Sequence, residues 1–226
     1  MIALGYDEYV TQGGDWGFIL TRALAHLYPT HVKALHTNWP YAPFPSFTSS
    51  PVLAAMSLVR HALGSYTPRE ATDLAHAKQT AKGGETGYLP LMGTKPLTLA
   101  FSLNDSPTGL LAFIYEKLDC WTDRYEWSDD DILTWISVYW FSTAGPGASG
   151  YIYKESRDDK VWTLRKFQNW VPQPLGFRYF PQELASLPKR WLAGMGKVVL
   201  VGESDKGGHF GAWVSKLFFA KFICGH

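Results

Sequence analysis

The chain opens with an alternation of strand-like and helix-like apolar patterns. Residues 9–11 form the end of an apolar run typical of a buried strand, and residues 32–36 form a second run. Pro29 ends the helix predicted between them, because the residue before a proline disfavours the helical region. A strand, a helix and a second strand at this spacing predict two parallel strands of an α/β sheet. The predicted helix has apolar residues at the spacing of one helix face: Phe18, Ile19, Leu20, Ala23, Leu24 and Leu27.

The middle of the chain has a different pattern, in which helix signals follow one another. Residues 69–82 are polar and have helical spacing. Ser106 before Pro107 begins a further helix, with Asp105 or Ser106 as its cap, and Ser128, followed by three aspartates, caps another. The pattern therefore predicts a mainly helical insertion over 41–170.

Strand patterns return only near the end of the chain. Residues 176–180 and 197–201 are strand candidates, and the apolar run 213–223 predicts a closing helix. Together with the opening strands, they predict an α/β core formed by 1–40 and 171–226.

Composition narrows the class of protein. The 226 residues carry a net charge of +1 with no basic cluster, which gives no electrostatic basis for binding nucleic acid or an anionic membrane. Cys120 and Cys224 form neither a disulfide framework nor a metal-binding spacing, so we expect a buried Cys120 and no metal. No apolar segment is long enough to span a bilayer, and the first residues lack signal-peptide features. These features predict a cytoplasmic protein without a membrane anchor.

The segment 13–17, Gly-Gly-Asp-Trp-Gly, lies between the first strand and the first helix. A small-x-X-x-small turn at this place is typical of a nucleophile elbow, where small neighbours allow the chain to turn tightly around an exposed side chain. The exposed residue here is Asp15, which indicates attack by a carboxylate and an ester bound to the protein. The alternative is an acidic helix cap, because Asp is a favoured residue before a helix.

Two later residues complete a chemical pattern with Asp15. Glu183 follows one late strand candidate, and His209 follows a Gly-Gly pair after the other. Nucleophile, acid and histidine is the chain order of α/β-hydrolases, whose catalytic loops follow the carboxyl ends of strands.

Other residues compete for the roles of acid and nucleophile. Glu155, Glu203 and Asp205 are alternatives to Glu183 as the acid, and Asp205 lies nearest to the histidine in sequence. Ser204 lies near the last strand but has no elbow around it, which disfavours serine esterase chemistry.

These residues lie in segments that resemble the microsomal-type epoxide hydrolases, including their soluble fungal members. The resemblance runs through almost the whole chain, and the ordered set of segments is more specific than any one of them. It implies a partial α/β-hydrolase core with a helical cap insertion. The similar segments are 12–17, 85–88, 94–96, 103–110, 116–118, 139–140, 151–155, 180–184 and 207–210.

The resemblance also implies a mechanism and a substrate class. Asp15 would open a small hydrophobic epoxide and form a glycol ester, while Tyr88 and Tyr153 donate to the epoxide oxygen. His209, held by Glu183, would then activate water, and the product would be a vicinal diol. No metal or organic cofactor is required.

Two further assignments follow from the same resemblance. The backbone N–H of Trp16 would face the oxyanion during hydrolysis of the ester. Tyr151 competes with Tyr153 for the second tyrosine, and the position before Lys154 favours Tyr153.

The chain departs from the family pattern at its start. The family has a long segment before the nucleophile, with several strands and a His-Gly-x-Pro loop, and this sequence contains no His-Gly-x-Pro. We therefore expect the N-terminal half of the sheet to be missing. The strand at 9–11 would have an exposed edge, which a second copy or another protein would cover.

Three functions stay open at this point. The first is an epoxide hydrolase acting in detoxification or in secondary metabolism. The second is a truncated, inactive relative with a binding role. The third is a haloalkane dehalogenase, which also uses Asp followed by Trp but needs halide donors rather than paired tyrosines.

Overall fold

The computed structural model describes residues 1–82, 84–160 and 169–214. The chain divides into two compact units. The first unit combines 1–79 with 165–226 and holds the sheet, and the second unit is 80–164. The helical insertion predicted over 41–170 is thus divided, because residues 41–79 pack with the sheet-containing unit.

The first unit is built on a four-stranded sheet in the order β1-β2-β3-β4, with every neighbouring pair parallel. The α/β fold class predicted from the sequence is confirmed, as are the positions of all four strands. The strands are β1 (Tyr9–Gln12), β2 (Val32–Thr37), β3 (Val171–Tyr179) and β4 (Gly196–Glu203).

Strand β3 begins five residues before its predicted start at residue 176. This part of the strand was not predicted because it contains Pro172 and Pro174. Proline has no N–H to donate to a sheet ladder, so its presence argues against a central strand. The pairing with β4 shifts register between Val171 and Pro174, which accommodates the two prolines.

Helix α1 (Trp16–Leu27) connects β1 to β2 and packs on the sheet. This is the predicted helix, and its connection yields the predicted parallel pair. Strand β1 lies at the edge of the sheet that the structure describes, and its Val10 is 68% exposed. The buried core under α1 includes Phe18, Ala25, Val32, Leu35, Val171, Leu175, Phe177 and Tyr179.

Two further helices belong mainly to the first unit. They are α2 (Pro51–Ala62) and α3 (Pro68–Ala81), and α3 matches the polar helix predicted at 69–82. The last described helix is α9 (Gly211–Val214). Most of the closing helix predicted at 213–223 lies outside the described residues.

The second unit consists of helices. They are α4 (Tyr88–Thr94), α5 (Pro96–Asp105), α6 (Pro107–Cys120), α7 (Asp129–Trp140) and α8 (Ser149–Asp158).

Both predicted caps in the second unit are confirmed. Ser106 Oγ accepts from Gly109 N at 3.0 Å before α6, and Ser128 Oγ accepts from Asp131 N at 3.2 Å before α7. Cys120 is exposed, so its predicted burial is wrong: it lies at the end of α6, where the helix meets solvent. Within the described ranges, no helix combines the length and the apolar character needed to cross a bilayer.

Candidate active site

The turn between β1 and α1 is strained in the way an elbow requires. Asp15 has φ 51° and ψ −124°, a backbone conformation that residues other than glycine rarely adopt. A Cβ atom on Gly13 would lie 2.5 Å from the carbonyl carbon of Gly17. Position 13 therefore requires glycine, because the chain folds back on itself at the start of α1.

The Asp15 side chain does not cap α1. No cap hydrogen bond to the helix is formed, and Asp15 Oδ2 instead lies 2.9 Å from Nε2 of His209. The helix-cap interpretation of this aspartate is wrong, because its carboxylate points to the loop after β4 and not to the first turn of the helix.

His209 is held from its other side by a buried acid. Its Nδ1 lies 2.7 Å from Oε1 of Glu183, a residue that is 1% exposed. The same carboxylate oxygen accepts the backbone N–H of Leu184 at 2.9 Å. The structure thus brings together Asp15, His209 and Glu183, which follow β1, β4 and β3 at one edge of the sheet.

Backbone pairing fixes the acid and histidine loops to each other. Gln182 and Gly208 form an isolated parallel bridge, and Gln182 N donates to Gly207 O at 3.2 Å. This pairing extends the β3–β4 ladder beyond the strands. It therefore holds Glu183 and His209 in register.

Asn38 joins the site and was not among the predicted residues. It is buried after β2, donates Nδ2–H to the carbonyl of His209 at 3.4 Å and accepts from Gln12 Nε2 at 3.0 Å. A polar residue directly after a strand on the carboxyl edge of the sheet was the available signal. Asn38 ties the histidine loop to the strand that precedes the elbow.

The two carboxylates control the protonation of His209. Burial alone lowers the pKa of an imidazole, since it disfavours the charged form. The negative charge of Glu183, together with hydrogen bonds to both carboxylates, outweighs burial and raises the pKa of His209 to about 10. With both acids ionised, the histidine is an imidazolium at neutral pH.

The competing residues have other environments. Glu155 and Asp205 are exposed, and Glu203 forms an ion pair with Lys189. Ser204 Oγ accepts two hydrogen bonds from the guanidinium of Arg178, at 2.7 and 3.0 Å. The His209 imidazole therefore contacts Glu183 and Asp15 rather than these alternatives.

The predicted tyrosines lie together in the second unit. Tyr88 begins α4 and Tyr153 lies in α8, with ring centroids 5.7 Å apart and ring planes at 85°. Tyr151, the alternative on α8, is 46% exposed. Of the two candidates on this helix, Tyr153 is the one in edge contact with the Tyr88 ring.

The remaining features of the site concern the proposed oxyanion donor and possible metal ligands. Trp16 is the first residue of α1, so its backbone N–H lies beside the Asp15 carbonyl group in the elbow. In the part of the chain that the structure describes, His, Cys, Asp and Glu side chains form no group that could hold a metal ion.

Comparison with known proteins agrees with the α/β fold. No family model matches the chain. Epoxide hydrolase 1 of Oryctolagus cuniculus is 32% identical over 239 residues, which cover 99% of this chain and 52% of that protein. Epoxide hydrolase 1 of Sus scrofa is 34% identical over 240 residues, which cover 99% of this chain and 51% of that protein.

The structural comparison gives the same result. The crystal structure of juvenile hormone epoxide hydrolase from the silkworm Bombyx mori superposes with a TM-score of 0.86 at 30% identity, over all of this chain and 55% of that one. The chain thus spans about half the length of the relatives it matches. Over almost its whole length the chain is a homologue of these epoxide hydrolases, and it has the α/β-hydrolase fold.

Proposed function

We propose that this chain carries the catalytic residues of an epoxide hydrolase that works through an aspartyl ester. The observation that carries the proposal is the imidazole of His209 held between the Asp15 carboxylate, at a strained elbow, and the buried Glu183. A helix cap or a surface carboxylate needs neither backbone strain nor a histidine with a second acid behind it.

In the first step an Asp15 oxygen attacks an epoxide carbon. The C–O bond of the strained ring breaks, an ester bond forms, and the former epoxide oxygen takes a proton. Tyr88 and Tyr153 are the proposed donors, because phenols stay protonated at neutral pH and hydrogen-bond to developing negative charge. Their edge-to-face contact supports a shared role.

In the second step the ester is hydrolysed. Forming the ester removes the negative charge of Asp15, one of the two carboxylates that raise the pKa of His209. The imidazolium then loses its proton to solvent more readily and can accept one from water. Hydroxide attacks the ester carbonyl, and the Trp16 N–H stabilises the oxyanion. The acyl C–O bond then breaks, the departing oxygen takes the proton that His209 accepted from water, and the product leaves as a vicinal diol. The ionised phenol regains its proton from the solvent.

The substrate class follows from the relatives and the chemistry. The matched proteins are named for epoxide hydrolysis, and one is named for juvenile hormone. We propose a small hydrophobic epoxide, in detoxification or in secondary metabolism. A second copy or a partner at the β1 edge, where Val10 is exposed, is part of the same proposal.

Isotope labelling tests the ester mechanism. The chain is given repeated cycles of styrene oxide in heavy-oxygen water, and the peptide containing Asp15 is analysed by mass spectrometry. We expect heavy oxygen in the Asp15 carboxylate, because water attacks the ester carbonyl. The Asp15→Asn variant controls for labelling during handling. Diol formation with an unlabelled Asp15 would contradict the mechanism.

A further inference from the structure

Lys117 on α6 has an unusual environment for a lysine. Its side chain is only 10% exposed, and its ammonium lies 5.0, 5.2 and 5.8 Å from the ring centroids of Phe113, Tyr88 and Trp121. Lysines are rarely buried unless they are paired, since a buried charge loses its hydration. The ring faces and Glu116, 2.7 Å away, offset that loss.

The ring of Tyr88 is enclosed by aromatic neighbours. Phe113 meets it edge to face at 6.1 Å, Trp121 lies at 6.1 Å with a 40° tilt, and Tyr153 completes the enclosure. This packing fixes the ring relative to α6 and α8. The Lys117 ammonium is therefore held over one ring face.

Two carboxylates, Glu116 and Glu85, also lie beside this cluster. Glu116 is about half exposed and forms an ion pair with Lys117. Glu85 accepts a hydrogen bond from Trp121 Nε1 at 3.2 Å, and Arg157 of α8 packs against Gly93 of α4, the helix that begins at Tyr88. Solvent screens the half-exposed Glu116 more than the buried ammonium, so Lys117 keeps a net effect on the ring that it covers.

We propose that Lys117 is a positioning residue that makes the Tyr88 phenol a stronger acid. A cation is attracted to the face of a neutral phenol, and it is attracted more strongly to the ring of a phenolate, which carries a negative charge. Lys117 thus stabilises the ionised form that Tyr88 adopts when it gives its proton to the opening epoxide. This inference rests on the proposed role of Tyr88 as the proton donor.

Titration of one phenol tests the inference without any measurement of activity. Difluorotyrosine is incorporated at position 88, and its phenolate absorbance is followed with pH in the full chain. We expect Lys117→Met to raise the midpoint by about one pH unit and Lys117→Arg to retain it within a few tenths of a unit. Difluorotyrosine at exposed position 151 is the matched reference, with an unchanged midpoint. An unchanged midpoint at position 88 in a folded Lys117→Met chain would overturn the inference.

A second variant is used if the single substitution prevents folding. If Lys117→Met loses its helical circular dichroism, the double variant Glu116→Gln with Lys117→Met is used, because it leaves no unpaired carboxylate beside the rings. The same rise at position 88 is expected in that variant, and no rise overturns the inference.

Failure of the proposed function would give a different result. The rate of ester formation is measured for Tyr88→Phe in parallel. A raised midpoint with an unaffected Tyr88→Phe rate would support the effect of Lys117 on the phenol and reject Tyr88 as the acid. A slow Tyr88→Phe with an unchanged midpoint would reject the effect of Lys117 and leave the function standing.

Discussion

The two units hold their proposed catalytic side chains by different forces. In the sheet-containing unit, Asp15, His209 and Glu183 are joined by hydrogen bonds between charged groups at 2.7 and 2.9 Å. In the helical unit, Tyr88 and Tyr153 are placed by edge-to-face ring packing. The charge pairs set the protonation of His209, whereas ring packing sets the orientation of the two phenols.

This difference matches the chemistry required of each set. In the proposed mechanism Asp15 loses its charge when the ester forms, and His209 must then change its protonation, so the basicity of the histidine depends on a charge that the reaction itself removes. A proton donor must stay neutral until the epoxide oxygen develops charge.

Removing the phenols should slow ring opening but not hydrolysis of the ester. We expect Tyr88→Phe or Tyr153→Phe to lower the single-turnover rate of ester formation by about a hundredfold each, because general acids contribute that much or more. Tyr151→Phe, at the exposed position on the same helix, should leave the rate unchanged. An equal loss in all three variants would place the effect in the fold of the helical unit rather than in proton donation.

Stability should fall with rising pH because of His209. Its pKa is about 10 in the folded protein against about 6.5 in an unfolded chain, so its contribution is complete below pH ~6.5 and is lost as the pH rises toward ~10. Over this interval the free energy of unfolding should drop by up to about 1.4 kcal/mol per pH unit. Urea unfolding at several pH values measures this slope.

Two histidine variants test whether the pH dependence of the free energy of unfolding comes from His209. His209→Gln should flatten the slope, while His61→Gln, on the exposed part of α2, should keep it. A slope that survives in His209→Gln would show that the two carboxylates do not hold a charged imidazole.

The elbow itself should depend on the glycine at position 13 but not on the glycine at position 17. Gly13→Ala places a Cβ against the backbone of Gly17, so we expect a loss of about 2 kcal/mol in the free energy of unfolding. Gly17→Ala meets no atom within 4 Å and lies in a helix, so it should be neutral or stabilising by about 0.5 kcal/mol. Thermal unfolding of the two variants compares them, and equal Tm values would mean that the turn is not strained.

The sequence allowed more of the fold to be predicted than of the site. Apolar spacing located the four strands and several helices, because periodicity reflects local burial. The first five residues of strand β3 were not predicted, because they include Pro172 and Pro174. The division of the insertion was missed because no local pattern shows with which unit residues 41–79 pack.

Within the site, the difficulty was pairing over long distances in sequence. Asp15 and His209 are 194 residues apart, so the helix cap and the nucleophile could not be distinguished from the elbow alone. Asn38 and Lys117 belong to no local motif, and their contacts come entirely from tertiary packing. As catalytic residues, Asp15, His209, Glu183, Tyr88 and Tyr153 all stay predictions that rest on geometry and resemblance.

Trapping the ester tests the central claim most directly. His209→Gln removes the base while it leaves Asp15 at its elbow, so attack should proceed and hydrolysis should stop. After incubation with styrene oxide, the intact mass should increase by the mass of one epoxide, located on the peptide that contains Asp15. No adduct should form when Asp15→Asn is added to His209→Gln. An adduct on another residue, or diol formation by the double variant, would contradict the account.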